Sequence, residues 1–302
     1  MKKIDVKLGY SCNNHCRFCI QGGKRNFRND QTTEEVKKVL ADNKDFEEVV
    51  FTGGEVTIRA DILELVKYAK QCGYKIIRIQ SNGRMFSYFD FCQRIIDAGA
   101  NEFMPSIHGS TAQMHDSLTC AKGSFEQTLK GICNLKKLNQ GVYINSVVTR
   151  KNYHDLFNLA KLLVGIKVNS YQFAFMHINS VIQHNVNFVE EIVPRYNEVK
   201  LDVEKALQLG IDNKVRSRVE AFPFCTLDKK YHNNISENYM SDAFIYENNK
   251  MSDFKKMKQD GGKIKGEKCK QCEFYKKCEG SWCEYTQIFG FDEFEPIKKY
   301  EF

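Results

Sequence analysis

Short apolar runs alternate with amphipathic stretches along about the first 180 residues. The runs are rich in β-branched and aromatic residues and have the length of strands. Apolar residues recur every three to four positions between them, which indicates helices. The predicted strands are Ile4–Leu8, Glu48–Thr52, Lys75–Gln80, Glu102–Ile107, Val142–Val148 and Tyr171–Phe175. The predicted helices are Thr33–Asn43, Asp61–Gln71, Tyr88–Ala98, Phe125–Leu138 and Asp155–Val164.

Six strands that alternate with helices imply a parallel sheet with helices outside it. Six units rather than eight predict an α/β fold of the partial (β/α)6 barrel type, open on one side. After the sixth strand, a helix is expected from about Pro194 to Gly210, followed by a polar, irregular stretch over residues 212–266. We therefore expect a core domain over residues 1–210 and a small second domain over residues 211–302.

Composition narrows the class of protein. The chain has 302 residues, of which 42% are hydrophobic, and no run approaches the roughly 18 apolar residues of a membrane span. The start of the chain lacks the apolar core of a signal peptide, so a cytoplasmic location is expected. The net charge of +7 is spread along the chain, which gives no indication of nucleic-acid binding. Clustering among the twelve cysteines favours reduced, metal-bound thiols over disulfides.

Three cysteines follow the first predicted strand at the spacing C-x3-C-x2-C, as Cys12, Cys16 and Cys19. Three thiolates on one short loop can hold three irons of a [4Fe–4S] cubane and leave the fourth iron open to a cofactor. The alternative is structural zinc, but zinc takes four ligands and no fourth cysteine is near in the sequence.

Polar and glycine residues follow the other predicted strands. In parallel α/β folds, sites form at the carboxyl ends of strands, so these residues are expected to share one site. Glycines at 53 and 54 would allow a close backbone approach to a bound amine, and Glu55 would accept a hydrogen bond from it. The candidates are Gly53, Gly54, Glu55, Ser81, Asn82, Ser106, Asn145 and Met176.

The cysteine spacing, with Gly53-Gly54-Glu55 downstream, resembles the radical S-adenosylmethionine (SAM) superfamily over residues 1–180. The resemblance implies that SAM chelates the open iron of a [4Fe–4S] cluster and is reductively cleaved to a 5′-deoxyadenosyl radical. Phe18 would then lie near the adenine, and Gly53, Gly54 and Glu55 would line the methionine amine. Less specifically, the resemblance places Ser81, Ser106 and Asn145 at the ribose or carboxylate; for Ser81 and Asn145, ordinary capping or turn roles are the alternative.

A second cysteine group lies towards the carboxyl terminus. The spacing resembles the auxiliary-cluster extensions called SPASM and twitch domains, and one upstream cysteine plus C-x2-C-x5-C fits a single cluster of the twitch type. A zinc ribbon is the alternative, because its spacings are similar. The expected ligands are Cys225, Cys269, Cys272 and Cys278.

Two further cysteines are candidate hydrogen donors. Cys120 lies where relatives in the family often carry an arginine near the SAM carboxylate, and Cys283 is the last cysteine of the second cysteine group. For Cys283 the alternatives are a spare cluster ligand or a buried bystander, and for Cys120 a bystander thiol.

Relatives with such extensions mostly modify peptides or proteins, so we expect maturation of a peptide or protein by crosslinking, epimerisation or oxidation. The alternatives are a radical step in small-molecule or cofactor biosynthesis and a non-catalytic metal or redox module. The first strand begins near residue 3, so a leader peptide is expected to need a separate recognition protein or to dock on the tail. A flavodoxin or ferredoxin-type donor is the expected source of electrons.

Overall fold

The computed structural model describes residues 2–25, 29–178, 186–239 and 242–298. The strands are β1 Lys3–Lys7, β2 Glu48–Thr52, β3 Ile76–Ser81, β4 Glu102–Pro105, β5 Gly141–Val148, β6 Ser170–Phe175, β7 Arg216–Glu220, β8 Ala243–Glu247, β9 Lys250–Asp253, β10 Lys263–Ile264 and β11 Ser281–Trp282. The helices are α1 Thr33–Asp42, α2 Ile62–Gln71, α3 Phe89–Ala98, α4 Ala112–Thr119, α5 Ser124–Lys137, α6 Leu156–Ile166, α7 Val186–Ile192, α8 Tyr196–Asp212, α9 Phe254–Met257 and α10 Cys283–Phe289.

The main sheet has the strand order β7-β6-β5-β4-β3-β2-β1-β8-β9 over the described ranges. Strands β1 to β8 run parallel, and β9 is antiparallel to β8. The predicted open, mostly parallel sheet with helices is confirmed, and the six predicted strands correspond to β1–β6 with small shifts at their ends. Strands β10 and β11 form a separate pair.

The prediction of an irregular stretch over residues 212–266 is wrong. Strand β7 pairs with β6, and β8 pairs with β1 in the register Lys3↔Ala243, so both extend the main sheet. The sequence pattern did not reveal strand β7, because Arg216, Arg218 and Glu220 alternate with smaller buried residues and leave no apolar run. The proposed boundary after residue 210 falls in the last turn of α8, and the sheet continues beyond it.

Burial alternates along β1 and along β3 to β7, as β1 illustrates, whereas the first four residues of β2 are all buried. Ile4 and Val6 are fully buried in the hydrophobic core, whereas Asp5 and Lys7 line a cavity. Parallel strands covered by apolar layers on both faces read as continuous apolar runs, so this alternation indicates one apolar and one polar face. Residues of β1 to β8, or residues directly after them, line the same cavity, so the sheet curls around it.

Across the described ranges, no helix combines the length and the hydrophobicity that a membrane crossing requires.

Candidate functional site

A cavity of about 430 Å³ opens at the carboxyl ends of the parallel strands. It brings together every residue predicted around the first cysteine group, although they are far apart in the sequence. The predicted residues that line it are Cys12, Cys16, Phe18, Cys19, Gly53, Gly54, Glu55, Ser81, Asn82, Ser106, Asn145 and Met176. We call it the SAM cavity because the residues implied by the family resemblance line it.

The cysteine loop is held by backbone and side-chain hydrogen bonds. The His15 and Arg17 amides donate to the last carbonyls of α4, at 2.9 Å each. The Arg84 guanidinium donates to the loop from the segment after β3. Burial raises the pKa of Cys12 and of Cys16 above the ordinary value of a thiol. A thiol must lose its proton before it can bind iron, and burial makes that loss harder for Cys12 and Cys16.

Two glycines after β2 let this segment approach the start of the cysteine loop. Gly53 has a φ of +130°, and an added Cβ would lie 2.4 Å from the Gly9 carbonyl oxygen. A Cβ on Gly54 would lie 2.2 Å from the Ser11 carbonyl oxygen. The Gly54 amide donates to the Gly9 carbonyl at 2.8 Å. The observed close approach is thus to the protein's own backbone, next to Cys12.

Glu55 is buried and organises the ends of two strands. Its Oε1 accepts from the Ser81 hydroxyl at 2.8 Å and from the Thr57 amide and hydroxyl, and its Oε2 accepts from the Asn82 amide at 2.5 Å. Three of these donors share Oε1 and one reaches Oε2, so these four donors leave one lone pair of Oε2 for a further donor. Burial raises the pKa of Glu55, and the hydrogen bonds oppose that shift. Its expected contact with the SAM amine stays a prediction.

Phe18 packs edge-on against His108, with ring centroids 4.7 Å apart. His108 Nδ1 accepts from the Val147 amide at 3.1 Å, which leaves the proton of the neutral ring on Nε2. Burial lowers the pKa of His108 and, to about 4, the pKa of His115, whose ring stacks on it. Both rings are therefore neutral at physiological pH.

Three further residues that line the SAM cavity were not among the site residues predicted from the sequence: Arg25, Glu220 and Trp282. Arg25 donates to the Cys19 sulfur at 3.8 Å. Glu220 ends the unpredicted strand β7 and accepts from Gln172 at 2.7 Å. Trp282 lies in β11, within the tail that resembles the auxiliary-cluster extensions. The signal that could have identified Trp282 is its place two residues after Gly280, in the tail that carries the second cysteine group.

The four cysteines predicted as ligands of the second cluster, one upstream and three in the tail, line a second cavity, here called the cysteine cage: Cys225, Cys269, Cys272 and Cys278. Phe224 stacks on Phe274 with centroids 4.6 Å apart, which docks the Cys225 turn on the tail. Burial, with the neighbouring thiols, raises the pKa of Cys225 to about 12. Four thiols around one cavity match the ligand number of a cubane.

In the part of the chain that the structure describes, no three His, Cys, Asp or Glu side chains converge closely enough to hold a single metal ion. A cubane binds each thiolate through a different iron and does not need that convergence. The SAM cavity has three cysteines, which would hold three irons of a cubane, and the cysteine cage has four, the usual number for a cubane.

Strands β10 and β11 lie between the two cavities. Ser281 and Ile264 line the cysteine cage, while Trp282, the next residue in β11, lines the SAM cavity. Gly280 permits the approach of these strands, since its φ is +87° and a Cβ there would lie 2.1 Å from the Ile264 carbonyl oxygen. Adjacent residues of β11 thus line different cavities, so this strand forms part of the wall between them.

Cys120 and Cys283 line neither of these cavities, so their roles as hydrogen donors remain predictions. Cys120 ends α4 in the left-handed conformation, with an exposed thiol beside the cysteine loop. Cys283 begins α10, and burial and then the Glu284 carboxylate raise the pKa of its thiol.

Comparison with known proteins places this geometry in a family. The sequence profile of the Radical SAM superfamily matches residues 6–163. An AdoMet-dependent heme synthase of Oleidesulfovibrio alaskensis is 33% identical over 162 residues, which are 51% of this chain and 40% of that protein. A probable GTP 3′,8-cyclase of Saccharolobus islandicus is 27% identical over 180 residues, 59% of this chain and 58% of that protein. The chain thus spans about half the length of these curated relatives.

The fold is similar to that of Streptococcus suis SuiB. The SAM-bound structure matches with a TM-score of 0.65 at 13% identity, over 99% of this chain and 76% of SuiB. SuiB bound to its precursor peptide SuiA matches with a TM-score of 0.62 at 14% identity, over 80% of this chain and 56% of SuiB. At such identity the likeness concerns the fold alone. The profile match covers more than half of the chain and includes the three-cysteine loop, so this chain is an enzyme that belongs to the radical SAM superfamily.

Proposed function

We propose that this enzyme matures a peptide or protein substrate by crosslinking, epimerisation or oxidation, with an auxiliary cluster beside the substrate. The observation that carries the proposal is the wall of β10 and β11. Ser281 and Trp282, adjacent in β11, line the cysteine cage and the SAM cavity respectively.

In this proposal Cys12, Cys16 and Cys19 hold a [4Fe–4S] cluster, and SAM occupies the part of the cavity lined by Phe18 and the ends of β2 to β5. When bound, the cluster and SAM supply reductive cleavage and abstraction of hydrogen from an unactivated C–H bond. The protein's residues position and enclose these groups. Arg25 offsets thiolate charge at Cys19, and the buried Phe18 and His108 rings exclude water from one side.

The cysteine cage is proposed to hold the second [4Fe–4S] cluster, with zinc as the alternative. A cluster behind β11 would be close to a substrate in the SAM cavity, because Trp282 faces that cavity and Ser281 faces the cage. That position suits electron transfer with the substrate or binding of it. A zinc ribbon would give this wall stability but no redox function.

The choice of a peptide rests on SuiB, whose structure with the precursor peptide SuiA has a fold that matches 80% of this chain. The SAM-bound structure of SuiB matches 99% of this chain. The second candidate is a small-molecule reaction. It is favoured by the heme synthase and the GTP cyclase, whose similarity to this chain extends over a little more than half of it. Family membership removes the third alternative, a non-catalytic module.

The proposal includes three further expectations. A flavodoxin or ferredoxin-type protein would supply the electron, a separate protein would recognise any leader peptide unless the tail binds it, and the enzyme would act in the cytoplasm.

The test is turnover by the anaerobically reconstituted chain with SAM and a reductant, in D₂O, against peptides encoded by short reading frames next to its gene. We expect one peptide to stimulate release of 5′-deoxyadenosine and to lose a hydrogen pair or to gain deuterium, as mass spectrometry would reveal. Consumption of GTP or of a heme precursor, with no peptide changed, would contradict the proposal and support the small-molecule reaction.

A further inference from the structure

One side of the SAM cavity is apolar and aromatic and carries a single side-chain donor. Phe18, His108 and Val147 all line the cavity. The rings of Phe18 and His108 meet edge-on with centroids 4.7 Å apart, and the Val147 amide donates to His108 Nδ1 at 3.1 Å. These contacts make the three residues a continuous surface, here called the aromatic wall.

Protein partners hold every polar atom of His108 except one. Its backbone amide donates to His115 Nδ1 at 3.0 Å, and its carbonyl accepts from Asn152 Nδ2 at 2.9 Å. Because Nδ1 accepts from the Val147 amide, the proton of the neutral ring is on Nε2. Among the described residues, none accepts a hydrogen bond from Nε2. The side chain lines the cavity, so this N–H group is available to a ligand there.

The His108 ring is held in a fixed orientation. It is 5% exposed, and the His115 ring stacks on it with centroids 5.7 Å apart and planes 8° from parallel. The backbone before it is held as well, because the Ile107 carbonyl accepts from the Ser146 hydroxyl. The direction of the donor is thus set before a ligand binds, so binding costs this side chain little conformational freedom.

The chemistry of the aromatic wall selects one part of SAM. SAM has a charged amino-acid end, a ribose with hydroxyl groups and a flat adenine. A neutral imidazole offers a carboxylate no charge to offset, and a wall with one donor supplies no acceptor for a ribose hydroxyl. Adenine has apolar faces, and its unprotonated ring nitrogens are acceptors at its edge. Apolar contact together with one donor therefore fits the adenine.

We propose that His108 donates a hydrogen bond from Nε2 to a ring nitrogen of the SAM adenine and so orients the base on the aromatic wall. This inference rests on the placement of SAM in the proposed function, and it is independent of whether the substrate is a peptide. Because the base is joined to the ribose, the bond would also help to fix the position of the 5′ carbon that abstracts hydrogen.

The experiment measures binding of S-adenosylhomocysteine to the anaerobic, cluster-loaded enzyme by calorimetry. This thioether keeps the adenosine and amino-acid parts of SAM and lacks the sulfonium that is cleaved. Its 1-deaza, 3-deaza and 7-deaza analogues each replace one ring nitrogen of the adenine by a C–H group. We expect the analogue that lacks the accepting nitrogen to bind the parent about ten-fold more weakly than S-adenosylhomocysteine does.

Two substitutions separate the donor from the inner hydrogen bond. In His108→Asn, the side-chain oxygen can replace Nδ1 as the acceptor for Val147, but no group replaces Nε2. In His108→Gln, the NH₂ group can replace Nε2, but the Val147 amide loses its acceptor. We expect His108→Asn to bind S-adenosylhomocysteine about ten-fold more weakly and to lose the preference against that analogue.

His108→Gln should keep this preference although its free energy of unfolding falls. His154→Asn, at an exposed histidine, is the control and should bind every ligand as the parent does. Iron content checks that each variant has folded around its clusters.

The outcomes decide between a donor to SAM and a purely structural role. A structural role predicts the reverse order, with His108→Asn like the parent and His108→Gln impaired, and that result would overturn the inference. It is overturned as well if the parent binds all three deaza analogues as tightly as S-adenosylhomocysteine.

If His108→Asn does not retain iron, His108→Gln decides: a retained preference supports the bond, and a lost preference contradicts it. If these binding results are as expected but no peptide is turned over, the choice of a peptide substrate fails and the role of His108 stands.

Discussion

The Glu55 carboxylate accepts a hydrogen bond from the Ser81 hydroxyl at 2.8 Å, which joins the end of β2 to the end of β3. Thr57 and Asn82 also donate to this buried carboxylate. The Gly-Gly-Glu segment thus has an architectural role at the rim of the SAM cavity, in addition to any contact with SAM. Two strand ends that carry cavity residues depend on one side chain.

Replacing Glu55 by glutamine tests this role. The variant places an NH₂ group among N–H and O–H donors, which leaves at least one buried donor unsatisfied at a cost of about 1–3 kcal/mol in the free energy of unfolding. Chemical denaturation measures that loss, and SAM titration should reveal weaker binding of about ten-fold or more. Glu64→Gln, at a half-exposed glutamate of α2, is the control and should resemble the parent. Unchanged stability in Glu55→Gln would mean that the four donors do not depend on the charge.

Gly54→Ala is expected to disrupt the cysteine loop. The added Cβ would lie 2.2 Å from the Ser11 carbonyl oxygen, so the backbone before Cys12 must move. We expect loss of about half of the bound iron and of SAM cleavage, measured by iron analysis and by 5′-deoxyadenosine release. Gly165→Ala is the matched control, because a Cβ there meets no atom within 4 Å in α6 and should raise stability by up to about 1 kcal/mol. Full iron content in Gly54→Ala would contradict the close approach.

Substitutions in the two cysteine groups should have different effects on SAM cleavage and on product formation. We expect Cys16→Ala to abolish SAM cleavage, because it removes a ligand from the loop in the SAM cavity. Cys272→Ala should keep cleavage in the absence of substrate but stop product formation, because it opens only the cysteine cage. Iron analysis should give about eight irons per chain for the parent and about four for each variant.

Cys133→Ala is the control for that comparison, since Cys133 lies in α5 and lines neither of the two cavities. If metal analysis of the parent gives one zinc and about four irons per chain, the cysteine cage holds zinc, as in a zinc ribbon, instead of a second cluster. Normal product from Cys272→Ala would show that the cage serves stability alone.

Stability should fall with acid because of the buried His115. Burial lowers its pKa from 6.5 to about 4. The unfolded state therefore binds more protons, so the stability contribution is complete above pH 6.5 and is lost as pH falls towards 4. Between pH 7.5 and 5 this amounts to about 2 kcal/mol at most.

His115→Asn removes the titrating ring and keeps an acceptor for the His108 amide, which donates to His115 Nδ1 at 3.0 Å. Thermal unfolding of parent and variant across that pH range should give a flatter profile for the variant. His154→Asn, at an exposed histidine, should keep the profile of the parent. An equal acid sensitivity in His115→Asn would assign the effect to other groups.

Local pattern identified the elements whose determinants lie close together in the sequence. The spacing of Cys12, Cys16 and Cys19 and the pair Gly53-Gly54 are set by a few adjacent residues, and β1 to β6 follow from their apolar runs. Such features depend on backbone preferences and short-range geometry, which a single sequence displays. The same holds for the tail cysteines as candidate ligands, since each lies in a recognisable spacing.

Packing between distant segments decided the rest. Strand β8 joins the sheet only because β1 offers it an edge, and a run of five residues does not reveal that partner. The sequence did not identify Trp282 as a residue of the site. Its surroundings, with an unpaired N–H group and with Lys263 and His177 next to the ring, exist only in the folded chain. The sequence alone thus determined which residues are the candidate cluster ligands. Tertiary structure determined which of them line a common cavity, because burial and contacts between distant segments exist only once the chain has folded.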